Sequence, residues 1–320
     1  MINTESSPQK ERLRAAIETV KSRLSKDDFP SNKQLVEICK DFGVRLVDSD
    51  GDPHLIHEIL ETSLNLHLSE AEWLKPLETK NKHEILARLE DLTRKLPPQS
   101  WRGLEQTTLQ QFSTPPALAY LLLLMLRPEA GKIALEPSAG TGSLAVWLKN
   151  AGCPTEVNEI STRRKTLLEV QNFEPHWVNA EFLDDLLPAG VKPDYVLMNP
   201  PFSASGGRTN ARDSNFGFRH VEAALRRLQP GGRLVALLGT ESCLKTDKGR
   251  KFWHRINQEY RVHAFLIVPR EVFYKYGTTF QTVAVIVSKP EINEQPNKTK
   301  PQIVELSNLS EMLRFAGDFA

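Results

Sequence analysis

The chain has 320 residues, with 41 Lys and Arg against 40 Asp and Glu and 40% hydrophobic residues. That length exceeds an average domain but fits one large α/β domain with an extension, and the composition is that of an ordinary globular protein. A formal net charge of +1 excludes a strongly basic or acidic polyelectrolyte. The two parts differ slightly: residues 1–100 carry 15 basic against 18 acidic groups, and the remainder 26 against 22, so any polyanion is expected on the second part. Cys39, Cys153 and Cys243 lack metal-ligand spacing and predict reduced thiols in a cytoplasmic setting. The start Met1-Ile2-Asn3-Thr4-Glu5 has no signal-peptide pattern. The longest apolar run, 118–126, is about half of what a bilayer requires, so it predicts a buried helix and no membrane span.

Residues 1–100 predict a helical domain. Leu13, Ile17, Val20 and Leu24 recur at helical spacing, as do Leu35, Ile38 and Cys39. Asp50-Gly51-Asp52-Pro53 marks a turn. Ile56, Ile59, Leu60, Leu64 and Leu66 follow, then Ile85, Leu89, Leu92 and Leu96, and Pro97-Pro98 ends that helix. His54, His57, His67 and His83 fall in this region. No cysteine or carboxylate cluster completes a ligand set, so they are read as solvated or capping residues, and no metal is expected.

From about residue 130 short apolar runs alternate with helical segments. Strand candidates are 133–135, 155–157, 177–178, 194–198, 233–238, 263–268 and 281–287. Helical stretches 143–150, 161–172, 218–228 and 248–259 separate most of them. This alternation predicts a doubly wound, mostly parallel Rossmann-like sheet over a second domain, 101–320. The last two candidates share a short link without a helix, so one is expected to run antiparallel, and 302–306 predicts one more edge strand. Ligands should sit outside the carboxyl ends of the strands.

Two motifs lie at such ends. The first is Glu136-Pro137-Ser138-Ala139-Gly140-Thr141-Gly142. Gly140 and Gly142 bring backbone within reach of a ligand that side chains would block, and the following helix turns its first amides toward it. Glu159, 17 residues past Gly142 with Ile160 beside it, stands where a carboxylate accepts from two ribose hydroxyls. Glu136 is placed to meet a cofactor ammonium. Glu181, or Asp184 in its stead, is placed to accept from an adenine amino group, with Phe182 adjacent. Phe112-Ser113-Thr114-Pro115-Pro116 predicts a loop over the amino-acid end of the cofactor, with Thr114 as helix N-cap and Pro115 in the first helical position.

The second motif is Asn199-Pro200-Pro201-Phe202. An exocyclic aromatic amine is a poor nucleophile because its lone pair is delocalised into the ring. Acceptors on both N–H groups, the Asn199 side-chain oxygen and the Pro200 carbonyl, favour a tetrahedral nitrogen. Pro200 and Pro201 stiffen the loop, and Phe202 offers a flat face for the base. Positioning supplies most of the catalysis of such an in-line methyl displacement. Arg208 and Arg212 follow in a polar, glycine-bearing loop suited to phosphates, while Lys245, Lys248, Arg250, Lys251 and Arg255 form a second basic run around Trp253.

These residues resemble the class I S-adenosylmethionine-dependent N6-adenine DNA methyltransferases in which the cofactor motifs precede the catalytic one. Gly277-Thr278-Thr279-Phe280-Gln281-Thr282 looks like the same group. The run 110–116, and Arg233-Leu234-Val235 after Pro230-Gly231-Gly232, are similar to the methylase portion of strawberry-notch-type methylase–helicase proteins. The resemblance covers about 105–290. It implies a seven-stranded methyltransferase fold, S-adenosylmethionine as donor and adenine in DNA as acceptor, with Asn199, Pro200 and Phe202 catalytic and Gly140 and Glu159 on the cofactor. The family more often has Tyr at Phe202 and Asp at Glu181, and usually appends a target-recognition domain. Only about thirty residues follow the sheet. Specificity is therefore expected from the N-terminal helices, or from a specificity or helicase partner chain, or to be slight. Two other readings stay open: a methyltransferase for RNA adenine or a protein glutamine amide, and a non-catalytic subunit of the same fold that binds nucleic acid or protein.

Overall fold

A computed structural model describes residues 8–46, 55–75, 80–99, 113–201, 216–277, 280–294 and 299–318. Its N-terminal helices are α1 (Pro8–Leu24), α2 (Asn32–Asp41), α3 (Leu55–Glu70) and α4 (Lys82–Lys95). Then come α5 (Pro116–Leu126), α6 (Ala145–Asn150), α7 (Thr162–Val170), α8 (Leu183–Leu186), α9 (Phe216–Arg227), α10 (Asp247–Glu259) and α11 (Leu309–Asp318). The strands are β1 (Ala134–Glu136), β2 (Thr155–Val157), β3 (Tyr195–Met198), β4 (Arg233–Gly239), β5 (Arg261–Val268), β6 (Thr282–Ser288) and β7 (Gln302–Glu305).

The N-terminal helices form where periodicity places them. α1 buries Leu13, Ala16, Ile17, Val20 and Leu24, one apolar stripe. α2 opens with a capping box in which Ser31 and Gln34 satisfy each other's backbone N–H. The Asn81 side chain caps α4 by accepting from the amides of His83 and Glu84. α3 is buried on all sides from Leu55 to Asn65, because it packs on α1 and also on α6 and α7. That burial corrects one expectation: His57 is fully buried inside α3, neither solvated nor capping. His54 lies outside the described residues, as does the 50–53 turn. Among the described residues there is no His, Cys, Asp and Glu group suited to a metal ion. None of their helices is long and apolar enough to cross a membrane. The apolar run becomes α5, which is buried except for partial exposure at Leu124.

The seven strands form one sheet in the order β2-β1-β3-β4-β6-β5-β7. β6 runs antiparallel to β4 and β5, and the other pairs are parallel. Among the described residues of the 269–281 link there is a 3-10 turn (Arg270–Tyr276) and no crossover helix, in keeping with the antiparallel return of β6. The strand expected at 177–178 is absent. Asn158 and His176 form an isolated bridge there. The buried Asn158 side chain takes over the ladder's role, donating to the carbonyls of Pro137 and Val178 and accepting from Val178 N. β7, the additional edge strand, completes the seven.

Alternation along the central strands splits the core into two layers. Leu197, Val235, Leu237, Ala284 and Ile286 pack with α1, α3, α5 and α11 in one core that runs from Leu13 to Ala316. Val196, Met198, Leu234, Ala236, Val283 and Val285 face the other way, toward α9 and α10. A period of two in the strands thus covers both sheet faces with helices. The parallel half leaves the carboxyl ends of β1, β2 and β3 side by side.

Candidate active site

The glycine loop leaves β1 at Glu136. Gly140 N donates to Glu159 Oε2 at 2.7 Å, and Ser161 N donates to Glu159 Oε1 at 2.8 Å. The carboxylate after β2 therefore ties the two loops together. Gly140 has φ +56°, and a Cβ there would stand in open space. Gly142 has φ +87°, and a Cβ there would come within 3.1 Å of Leu168 in α7. One glycine opens the loop and the other lets it pack.

These ends surround a cavity of about 230 Å³. One wall is Ser113, Thr114 and the run Glu136, Pro137, Ser138, Ala139 and Gly140, and another is Glu159 and Ile160. Asn199 and Pro201 close it from the end of β3. Asn199 Nδ2 donates to Thr114 Oγ1 at 3.1 Å, which joins the reactive motif to the loop before α5. Thr114 is not the N-cap of that helix. Pro115 holds that position without a side-chain bond, and the Thr114 hydroxyl serves Asn199 instead.

Some expected residues stand elsewhere. Gly142 and Pro200 do not line the cavity. Glu181 is not among the lining residues and pairs with Arg219 at 2.9 Å. Asp184 pairs with Arg226, and Phe182 is half exposed. Asn179 accepts from Glu181 N and starts the 3-10 turn Ala180–Phe182. Asn179 and Ala180 line the cavity in their place. The signal was present, because Asn is a favoured capping residue two positions before Glu181. Phe112, Phe202, Arg208 and Arg212 lie outside the described residues. In the second basic run, Lys245, Arg250 and Arg255 are paired with Glu241, Asp247 and Glu222, and Trp253 is core.

Asn158, Arg164 and His220 are among the lining residues that were not anticipated. His220 belongs to the buried face of α9 with Phe218 and Val221, a pattern visible in the helical period. Its Nδ1 lies 3.3 Å from Ser138 Oγ. Burial, with the Arg219 cation nearby, lowers its pKa to about 4, so the ring is neutral at pH 7. Burial also raises Glu136 well above the ordinary carboxyl range, helped by the charge of Glu159 and opposed by the amides of Ala145 and Leu144. Glu159 is raised by burial and held back by Arg164 and its two backbone donors. Glu136 Oε2 is buried without a protein partner. A buried carboxyl oxygen beside an open glycine and a second carboxyl at the next strand end fit a ligand with an ammonium and a diol.

Residues 118–259 match the methyltransferase small domain. Solved structures match the chain at low identity. TrmN from Thermus thermophilus shares 17% identity over 61% of this chain and 58% of its own, with a TM-score of 0.43. A modification subunit of a putative type I restriction enzyme from Vibrio vulnificus YJ016 shares 15% over 85% and 67%, with 0.51. A type I restriction-modification methyltransferase subunit from Streptococcus thermophilus shares 14% over 90% and 62%, with 0.50. This chain spans 58%, 67% and 62% of the lengths of these three proteins. No curated protein sequence matches it. The seven-stranded sheet with helices on both faces is a Rossmann-like methyltransferase fold.

Proposed function

We propose that the chain transfers a methyl group from S-adenosylmethionine to the N6 amine of adenine in DNA. The observation that carries this reading is one cavity lined by Glu136, Gly140 and Glu159 on one side and by Asn199 and Pro201 on the other. When bound, S-adenosylmethionine supplies an electrophilic sulfonium methyl. Glu159 is placed for the ribose hydroxyls and Gly140 for close backbone approach. Glu136 meets the amino-acid end, with Ser113 and Thr114 above it. Asn179, rather than Glu181, is the side chain placed for the adenine ring of the donor.

On the acceptor side the Asn199 amide group is committed to Thr114, so its carboxamide oxygen is the group assigned to the target N–H. The Pro200 carbonyl takes the second N–H and Phe202 the ring face. Both acceptors favour the tetrahedral nitrogen whose lone pair is exposed. Arg208 and Arg212 are assigned to phosphates. Restriction-modification subunits share the fold, and by that analogy a partner chain supplies sequence specificity.

Asn199→Ala separates binding from chemistry. Methyl transfer should fall by about a hundredfold or more, as for a lost preorganised transition-state contact, while donor affinity measured by calorimetry stays. Thr114→Val should lower transfer in the same direction by a smaller factor. Full turnover of Asn199→Ala on every acceptor would remove the clamp from the reaction.

A further inference from the structure

α3 presents a row of polar groups toward the cavity from behind. Glu58, Glu61 and Asn65 follow at three- and four-residue spacing and are 0%, 6% and 5% exposed. None lines the cavity, yet each holds the loops that do. Glu58 accepts from Arg163 and from Arg164, itself a lining residue. Asn65 Nδ2 donates to the Thr141 carbonyl at 2.8 Å, within the glycine loop.

Glu61 is the centre of the row. Its Oε2 accepts from Ser113 Oγ at 2.6 Å and from Thr141 Oγ1 at 3.0 Å, and its Oε1 accepts from Gln99 Nε2 at 2.6 Å. One carboxylate thus joins the segment after α4, the loop before α5 and the glycine loop. Burying a carboxylate is costly unless its lone pairs are met, and these partners are two hydroxyls and an amide. An apolar residue at this position would pack on Leu64 and Leu68 with no such cost. It would leave Ser113 and Thr141 without a common anchor.

We propose that Glu61 is a positioning residue for the methyl-donor site. It fixes Ser113 and Thr114 against the glycine loop, so the N-terminal helices set donor affinity without touching the donor. The inference rests on the methyltransferase reading above. Because Thr114 also receives the Asn199 amide, the same anchor lies one residue from the reactive motif.

The test is calorimetric titration of the full chain with S-adenosylmethionine, with turnover at saturating donor measured beside it. Glu61→Ala should weaken donor binding about ten- to a hundredfold, as for buried hydroxyls left unpaired, with kcat within about threefold of wild type. Glu61→Gln, whose carboxamide oxygen still accepts from Ser113 and Thr141 and whose NH2 donates to Gln99 once that amide flips, should bind within about threefold of wild type. Leu86→Ala, buried in α4 away from the cavity, controls for stability: it should lower the melting temperature and leave donor affinity unchanged. Equal affinity in wild type and Glu61→Ala, or an equal loss in Leu86→Ala, overturns the positioning role. A wild-type chain that binds no donor overturns the methyltransferase reading itself.

Discussion

Glu159 has a structural role that stands beside the ligand role proposed for it. Both its oxygens accept backbone N–H groups from the two loops that face the cavity. Glu159→Ala should therefore weaken S-adenosylmethionine binding by about 1.5–3 kcal/mol, the range for charge-assisted hydrogen bonds. Calorimetry reads this directly, and unchanged affinity would mean the ribose lies elsewhere. His220 sets a pH response. Its folded pKa, about 4, lies below the unfolded value of about 6.5, so only the unfolded chain takes up a proton between them. Its contribution to stability is present above pH 6.5 and is lost as pH falls toward 4, on the order of 3 kcal/mol in all. Glu136 and Glu159, whose carboxyls are raised, act with the opposite sign, losing stability as pH rises from the ordinary carboxyl value through the folded one. The clean comparison is therefore denaturant unfolding of wild type against His220→Gln from pH 7 to 4.5. Wild type should lose stability that the variant keeps, and parallel curves would show that His220 is not held neutral.

At the scale of elements, the joint between α3 and α7 is electrostatic. Glu58 is fully buried and takes Arg163 Nε at 2.6 Å and Arg164 Nε at 2.8 Å. Removing one partner of a buried pair strands the other charge, which costs about 3–5 kcal/mol. Glu58→Ala should lower the unfolding free energy by that much, and a loss below about 1 kcal/mol would place the pair in effective contact with solvent. Elements were legible in the sequence wherever period decided them. The stripe Leu13, Ile17, Val20, Leu24 and the apolar runs of β3 to β6 declare themselves. Trp177 and Val178 mislead because apolarity alone suggests a strand, while the ladder is taken over by the Asn158 side chain. That substitution is a tertiary event with no local signature. Glu58, Glu61 and Asn65 were equally silent. They sit on a helix whose apolar pattern reads well, and their meaning appears only when α3 is packed against α7 and the glycine loop.

For the molecule as a whole, both motifs legible in the sequence reach one cavity. A motif names strand ends, and parallel β1, β2 and β3 place those ends side by side. What the motifs missed were residues reaching the cavity from helix faces, Arg164 and His220, and the capped turn that brings Asn179 into the lining. An adenine stacked in a duplex cannot bring its amine to Asn199, so it must be flipped or already unpaired, and flipping costs a few kcal/mol. Single-stranded or mismatched DNA should accordingly be methylated faster than a perfect duplex. Replacing Arg208 and Arg212 by Ala should flatten the dependence of log affinity on log salt by about 1–2. Strong methylation of one duplex sequence with none of single strands would contradict this and transfer target opening to the protein.

Methyl transfer to adenine in DNA is tested most directly by the identity of the methylated product. The full chain is incubated with S-adenosylmethionine labelled in the methyl group and, in separate reactions, single-stranded DNA, duplex DNA, RNA and total protein. Each product is digested to its monomers and resolved. Label recovered as N6-methyladenine from DNA, and lost with Asn199→Ala, is the expected result. Label confined to RNA or protein, or carried by cytosine, would contradict it.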